Sequence, residues 1–130
     1  MANVVFFSFT EPDREIVLTI KGRAMNSNYP NLNFQVKDLL KRWDTDDTSV
    51  IRQAISKAMH GTSRTIVFVG AHTYKSRWVR EEINMTIENG KPVYAIRLKD
   101  TNGSKPKVLQ DNGIYLYSWS ESRLQELATR

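Results

Sequence analysis

The chain has 130 residues and a formal net charge of +5, with 40% hydrophobic and 25% charged residues, which predicts one domain (residues 1–130) with one core. The absence of cysteine excludes disulfide scaffolds, thiolate zinc sites and a cysteine nucleophile, and two histidines are too few for a typical histidine-based metal site. No run approaches a membrane span and no signal precedes the first apolar segment, so we expect a cytoplasmic protein without membrane partners.

The first third of the chain predicts a strand, a helix and a second strand. Residues 3–9 are nearly all apolar without alternation, which is typical of a strand buried on both faces, and Ser8 lies near its carboxyl end. A helix follows, and its apolar positions are Ile16, Val17, Ile20 and Ala24. After the turn-rich residues 26–30, apolar and polar residues alternate over 32–36, which predicts a half-buried second strand.

The middle of the chain predicts a loop, a helix and a third strand. Residues 43–48 are polar and acidic. They are better explained as helix caps than as a calcium loop, because the Gly and the terminal Glu of an EF-hand are missing. An apolar face at helical spacing over 50–59 predicts the second helix, which ends at Gly61. Residues 64–70 then form a β-branched apolar run that ends in Gly, as expected of a buried strand.

The third predicted helix, residues 77–89 with Ser76 as N-cap, contains one anomalous carboxylate. Its apolar arc is formed by Trp78, Val79, Ile83, Met85 and Ile87. Glu82 projects inside this arc, whereas Glu81 falls outside it and is expected to be solvated. A carboxylate inside the arc must be paired, neutralised or turned toward a cleft. Two interpretations stay open: a structural acid that reaches water or a nearby Arg, and a functional acid at the lip of a pocket.

The last third predicts two more strands and a final helix. Residues 92–98 predict a fourth strand, and residues 99–113 predict a long polar loop with a short helix near Val108. Residues 114–119 predict a fifth strand, followed by a short helix that is capped by Ser120 or Ser122.

The alternation of strands and helices predicts the fold and the place of the site. It indicates an α/β protein with a single three-layer, flavodoxin-like domain, in which helices cover both faces of a five-stranded, mostly parallel sheet. Ligands of such sheets bind beyond the carboxyl ends of the strands. That edge is predicted to contain residues 8–11, 43–47 and 70–75 and the loop after Leu98. Glu82 lies about one turn into its helix, so its side chain can point back toward this edge, and we expect it to face an open cleft.

Several common functional motifs are absent from the sequence. It has no Gly-rich phosphate loop, no Ser-centred nucleophile elbow and no metal-ligand spacing. The densest basic groups, residues 37–42 and 99–107, are short and interrupted, which favours a solvated basic surface. Because no aromatic-basic stacking platform accompanies them, nucleic acid is not an expected partner. His72 lies on the predicted edge, where it can contact a ligand, although solvent exposure is the simpler interpretation.

Three segments of the sequence resemble a known family. Residues 4–9, VVFFSF, resemble the first strand of Toll/interleukin-1 receptor (TIR) domains. Residues 66–70 and 74–83, IVFVG and YKSRWVREEI, resemble the third TIR strand and the following helix, which carries a Trp and, four positions later, a Glu. The strongest likeness is to the MTH538-like group of small bacterial TIR-like proteins, which includes the sensor subunit of Thoeris anti-phage systems. The likeness spans residues 4–98. Within it, this sequence departs from the usual pattern over residues 31–42 and lacks the Pro-Gly that is common before the second helix.

The resemblance implies a reaction and a set of site residues. It implies cleavage of NAD+ at the nicotinamide–ribose bond to give ADP-ribose or a cyclic ADP-ribose-type signal in bacterial anti-phage immunity, with NAD+ as substrate and with no cofactor or metal. Glu82 would be the catalytic carboxylate. The substrate-binding residues would be Ser8, Phe9, Thr10, Trp43, Asp44, His72 and Trp78. The active form would be a homo-oligomer, and a downstream effector would respond to the nucleotide signal. The alternative is a non-catalytic TIR-like module that mediates protein–protein interaction in signalling.

Overall fold

The computed structural model describes residues 4–39, 42 and 44–130, which form a parallel sheet between two layers of helices. The strands are β1 (Val4–Ser8), β2 (Gln35–Asp38), β3 (Arg64–Val69), β4 (Val93–Arg97) and β5 (Leu116–Tyr117). The helices are α1 (Arg14–Ala24), α2 (Thr48–Met59), α3 (Arg77–Glu88), α4 (Lys107–Asp111) and α5 (Glu121–Thr129). All four strand pairings are parallel, in the order β2-β1-β3-β4-β5, which confirms the predicted α/β, flavodoxin-like architecture.

Alternate side chains of the central strands fill the two faces of the sheet. Phe7 of β1 packs edge to face on Phe68 of β3, with ring centroids 4.6 Å apart, in the core shared with α1 and α5. Phe6 points to the opposite face and packs against α2, while Val67 and Val69 pack against α3 and α4. Burial on both faces explains why β1 and β3 lack apolar-polar alternation.

The predicted caps and several element boundaries agree with the structure. Ser76 accepts a hydrogen bond from the Val79 amide at the start of α3, and Ser120 does the same for Arg123 at the start of α5. The short helix expected near Val108 is α4. The fifth strand is shorter than predicted, because only Leu116–Tyr117 pair with β4.

The order of the strands reverses next to β1. From β1 the chain moves outward to β2 and then returns to the other side of β1 to form β3, so the direction of winding reverses between β1 and β3. Parallel α/β sheets bind ligands at the carboxyl edge of such a reversal. Ser8 is the last residue of β1, and α3 begins at this same edge after β3 ends.

Two close approaches of the backbone shape this edge. A Cβ atom on Gly70 would overlap the carboxylate of Asp13, and a Cβ on Gly103 would overlap the backbone of Gly70 and Ala71. The loop after β4 is therefore packed against the end of β3. A side chain at residue 103 would meet backbone atoms, whereas one at residue 70 would displace the Asp13 carboxylate. Within the described part of the chain, no helix has the length and apolarity needed to cross a membrane.

Candidate active site

Glu82 lies on the face of α3 that packs against the carboxyl end of β1. The Ser8 hydroxyl donates a hydrogen bond of 2.7 Å to Oε1 of Glu82. The Arg42 guanidinium donates from Nη2 to both carboxylate oxygens, at 3.2 and 3.4 Å. The Glu82 side chain is 0% exposed and that of Arg42 is 14% exposed. The carboxylate thus lies inside the apolar arc, as predicted. The prediction that it faces an open cleft is wrong, because Arg42 covers it and binds both oxygens.

Burial dominates the ionisation of this carboxylate. Removal from water raises the pKa of Glu82 from its ordinary value of 4.5 to about 7. The charge of Arg42 and the hydrogen bonds from Ser8 and Arg42 act in the opposite direction, and the nearby charge of Asp38 adds a smaller upward effect. The cost of desolvation therefore exceeds the stabilisation by the cation, and Glu82 can exist in either protonation state near neutral pH.

Two aromatic rings flank the Arg42 guanidinium. Its Cζ lies 5.8 Å from the ring centroid of Phe9 and 5.9 Å from that of Trp78, within the range of cation–π attraction. Phe9 follows β1 directly, and Trp78 lies in the first turn of α3, one turn before Glu82. The sequence therefore brings Ser8, Phe9, Trp78 and Glu82 together around a cation, which we call the cation site.

Three other predicted substrate-binding residues, Thr10, Asp44 and His72, have no contact with Glu82 or Arg42 among those that the structure describes. The Thr10 hydroxyl donates to the Asp13 carboxylate at 3.0 Å, and Thr10 is buried. Asp44 and His72 are exposed, and His72 precedes the 3₁₀ turn Thr73–Lys75. Trp43 lies outside the described residues.

Comparison with known proteins defines the family of this chain. The model of the family described as "Thoeris protein ThsB, TIR-like domain" matches residues 6–103. The chain belongs to this ThsB TIR-like family. A relative from Bacillus cereus (strain MSX-D12), named "Putative cyclic ADP-D-ribose synthase ThsB1", is 31% identical over 148 residues, covering 97% of this chain and 76% of that protein. The predicted likeness to Thoeris-type TIR-like proteins is confirmed.

A solved structure supports the fold of this ThsB-family chain. The TIR domain of the Toll-related receptor TRR-2 from Hydra magnipapillata superposes with a TM-score of 0.63 over 95% of this chain and 90% of that one. The two sequences are 16% identical, so the likeness concerns the fold alone.

Arg42 is a residue of the cation site that was not predicted from the sequence. Arg42 belongs to the basic group 37–42, which was predicted to be a solvated surface, yet its side chain is largely buried against Glu82. The only signal was indirect: a carboxylate inside an apolar arc requires a cation, and the plainer of the two interpretations invoked a nearby Arg. Nothing in the spacing identifies residue 42, because it lies 40 positions away from Glu82.

Glu81 shows that α3 presents two buried acids rather than one. Its carboxylate accepts from Nε of Arg52 on α2 at 2.9 Å, and Arg52 also pairs with Glu88 at 2.7 Å. Glu81 is 7% exposed, so the prediction that it is solvated is wrong. The reason is that α2 packs beside α3 and covers a flank of the helix that the apolar arc alone does not include. Glu81 and Glu82 are thus adjacent acids, each bound to its own arginine.

Four cavities of the described part of the chain have linings that do not include Glu82. One of about 390 Å³ lies between the start of α3 and α4, and its lining includes Tyr74, Arg80 and Lys107. Glu82 lines neither this cavity nor three further cavities, which lie beside β5, between α1 and Trp119, and at the end of α2. Among the described His, Asp and Glu residues, no group of three or more is arranged to hold a metal ion.

Proposed function

We propose that this ThsB-family chain cleaves NAD+ at the nicotinamide–ribose bond and releases ADP-ribose or a cyclic ADP-ribose-type product. The observation that supports this proposal most directly is the Glu82 carboxylate, desolvated at the carboxyl edge of a parallel sheet beside Ser8. The relative's name, a cyclic ADP-D-ribose synthase, favours the same chemistry.

The chemistry needs an anion with little surrounding water. As the bond between ribose C1′ and the nicotinamide nitrogen breaks, its electron pair leaves with the neutral nicotinamide and positive charge develops on the ribose. A preorganised carboxylate stabilises this charge more than it stabilises the ground state, and it does so more strongly out of bulk water. Water then adds to C1′ and loses a proton to give ADP-ribose, or a nucleophile of the same molecule adds to give a cyclic product. Glu82 is the residue that we assign to this role, and the Ser8 hydroxyl fixes its orientation.

The proposed substrate follows from this reaction, and the other proposed partners follow from membership of the ThsB family. NAD+ is the substrate, and the chain requires no other cofactor. The active form is a homo-oligomer, and the product acts as a nucleotide signal for a downstream effector in anti-phage defence. Phe9 and Trp78 flank the place where the planar nicotinamide group would lie, since both rings already flank a planar cation.

The adjacent acids provide a matched test. Purified wild type, Glu82→Gln and Glu81→Gln are incubated with NAD+, with and without lysate from phage-infected cells, and nicotinamide and ribosyl products are measured by mass spectrometry. Both substitutions neutralise a buried, arginine-bound acid on α3, so both perturb the helix in a similar way. We expect Glu82→Gln to lose about 10²–10³-fold in rate, as when an electrostatic stabiliser of the transition state is removed. We expect Glu81→Gln to stay close to wild type.

A specific observation favours a second candidate, the non-catalytic interaction module. Glu82 is bound by Arg42, and both carboxylate oxygens are used. If this ion pair is purely structural, nicotinamide release stays at background in every sample, with or without infected lysate. Equal rates in wild type and Glu82→Gln would also refute the role assigned to Glu82. Thermal unfolding of each variant shows whether a lost rate reflects a lost fold.

A further inference from the structure

The cation site is occupied by the chain's own arginine. Arg42 places a planar, permanently charged guanidinium between Phe9 and Trp78, with its Nη2 on both oxygens of Glu82. Each of these three groups contacts a cation in a way that does not depend on the rest of the arginine side chain. The same surroundings therefore suit another planar organic cation of similar size, such as a pyridinium ring.

We propose that Arg42 is an internal ligand of the cation site, and that it holds the resting protein silent by occupying the place of the substrate's pyridinium. This inference rests on the function proposed above, since it concerns regulation of the same site. A ribose that loses its base beside Glu82 must approach carboxylate oxygens that Arg42 binds in this structure. Substrate binding and the Arg42–Glu82 contact thus exclude each other.

The arginine is held incompletely, which is what a displaceable ligand requires. Nε of Arg42 is buried and has no hydrogen-bond partner among the described residues. A hydrogen bond that an arginine nitrogen does not make adds nothing to the free energy that holds the side chain in place. Arg52 makes the contrast: its Nε is paired with Glu81, and its two terminal nitrogens are paired with Glu88. Among the described residues, all three guanidinium nitrogens of Arg52 have partners, whereas only Nη2 of Arg42 donates to Glu82.

The size of the effect follows from competition. If Arg42 occupies the cation site in about 90–99% of molecules, the apparent affinity for an external cation is reduced about ten- to hundredfold, because only the unoccupied fraction can bind. Removal of the guanidinium should therefore raise the apparent affinity for the external cation by the same factor. The gain should disappear when Glu82 is neutralised as well, since the anion is the main attraction for any cation in this site.

The test uses binding rather than turnover, so it does not depend on catalysis. The stable 1-methylnicotinamide cation is titrated by calorimetry into wild type, Arg42→Ala, Arg42→Gln and the double variant Arg42→Ala/Glu82→Gln. The titration is done at alkaline pH, because loss of the Arg42 charge raises the pKa of Glu82 and the carboxylate must be ionised to attract a cation. Arg14→Ala is the matched control, because it removes the same charge from an exposed pair with Glu11. We expect both Arg42 variants to bind about ten- to hundredfold more tightly than wild type, and the double variant and the control to show no gain. Arg42→Gln keeps a planar polar group, so it provides the result if Arg42→Ala does not fold.

The outcomes separate this inference from the proposed function. Equal or weaker binding by the folded Arg42 variants overturns the role of Arg42 as an internal ligand, even if wild type releases nicotinamide from NAD+. Tighter binding without nicotinamide release from NAD+ supports the internal ligand and contradicts the proposed reaction. If both hold, Arg42→Ala should release nicotinamide faster than wild type in the absence of infected lysate.

Discussion

The ionisation of Glu82 predicts a specific dependence of stability on pH. Its pKa is raised by burial from 4.5 to about 7 in the folded protein. Below pH 4.5 the carboxyl is protonated in both the folded and the unfolded state, and the full stability is present. As the pH rises from 4.5 to about 7, the unfolded chain releases this proton while the folded protein keeps it, so the free energy of unfolding falls. At about 1.36 kcal/mol for each pKa unit, the difference between 4.5 and about 7 amounts to about 3 kcal/mol.

Urea unfolding of wild type and Glu82→Gln at a series of pH values measures this loss. The contributions of all other groups largely cancel when the free energy of unfolding of the variant is subtracted from that of wild type. We expect the difference to fall by about 3 kcal/mol between about pH 4 and about pH 8, with most of the change below pH 7. Because the charge of Arg42 lowers the pKa of Glu82, Arg42→Gln should extend the loss to higher pH. The exposed Arg14→Gln should leave the window unchanged. A difference that rises with pH would refute the reasoning, since it would mean that the ion pair outweighs desolvation.

Three further outcomes are expected. Ser8→Ala removes a buried 2.7 Å hydrogen bond to Glu82 and should lower the free energy of unfolding by about 1–3 kcal/mol in urea titrations. The rate of nicotinamide release should rise with pH through about 7, because Glu82 must be ionised to stabilise positive charge on the ribose, and an initial-rate profile that falls over this range would contradict its role. Gly70→Ala should lower the free energy of unfolding by about 1–3 kcal/mol, because the new methyl group overlaps the Asp13 carboxylate. Adding Asp13→Ala should recover part of that loss in a double-mutant cycle, and strict additivity would show that the clash is relieved elsewhere.

Local patterns were sufficient to predict most of the fold and the inward position of Glu82. The unalternating apolar runs of β1 and β3, the cap at Ser76 and the 3.6-residue period of α3 depend on nearest neighbours in sequence, so each could be predicted without the structure. The partners of the charges could not be predicted in this way. Arg42 approaches Glu82 from 40 positions away, and Arg52 approaches Glu81 from 29 positions away. Such pairs depend on how whole elements pack, which no period in the sequence encodes.

The same long-range pairing explains how one site meets two opposing requirements. Positive charge on a ribose is best stabilised by a carboxylate that is shielded from water, yet shielding an ionised carboxylate without a partner is strongly unfavourable. Water around the carboxylate would remove the cost of desolvation, but it would also weaken the attraction between the carboxylate and the positive charge on the ribose. A cation from the chain itself offsets part of the penalty and keeps water out, and the Arg42–Glu82 contact has this arrangement. In the mechanism proposed above, this partner leaves before the substrate binds. For a carboxylate buried in this way, stability of the resting protein and access to the site are therefore in direct competition, and activation requires another source of free energy to replace the ion pair.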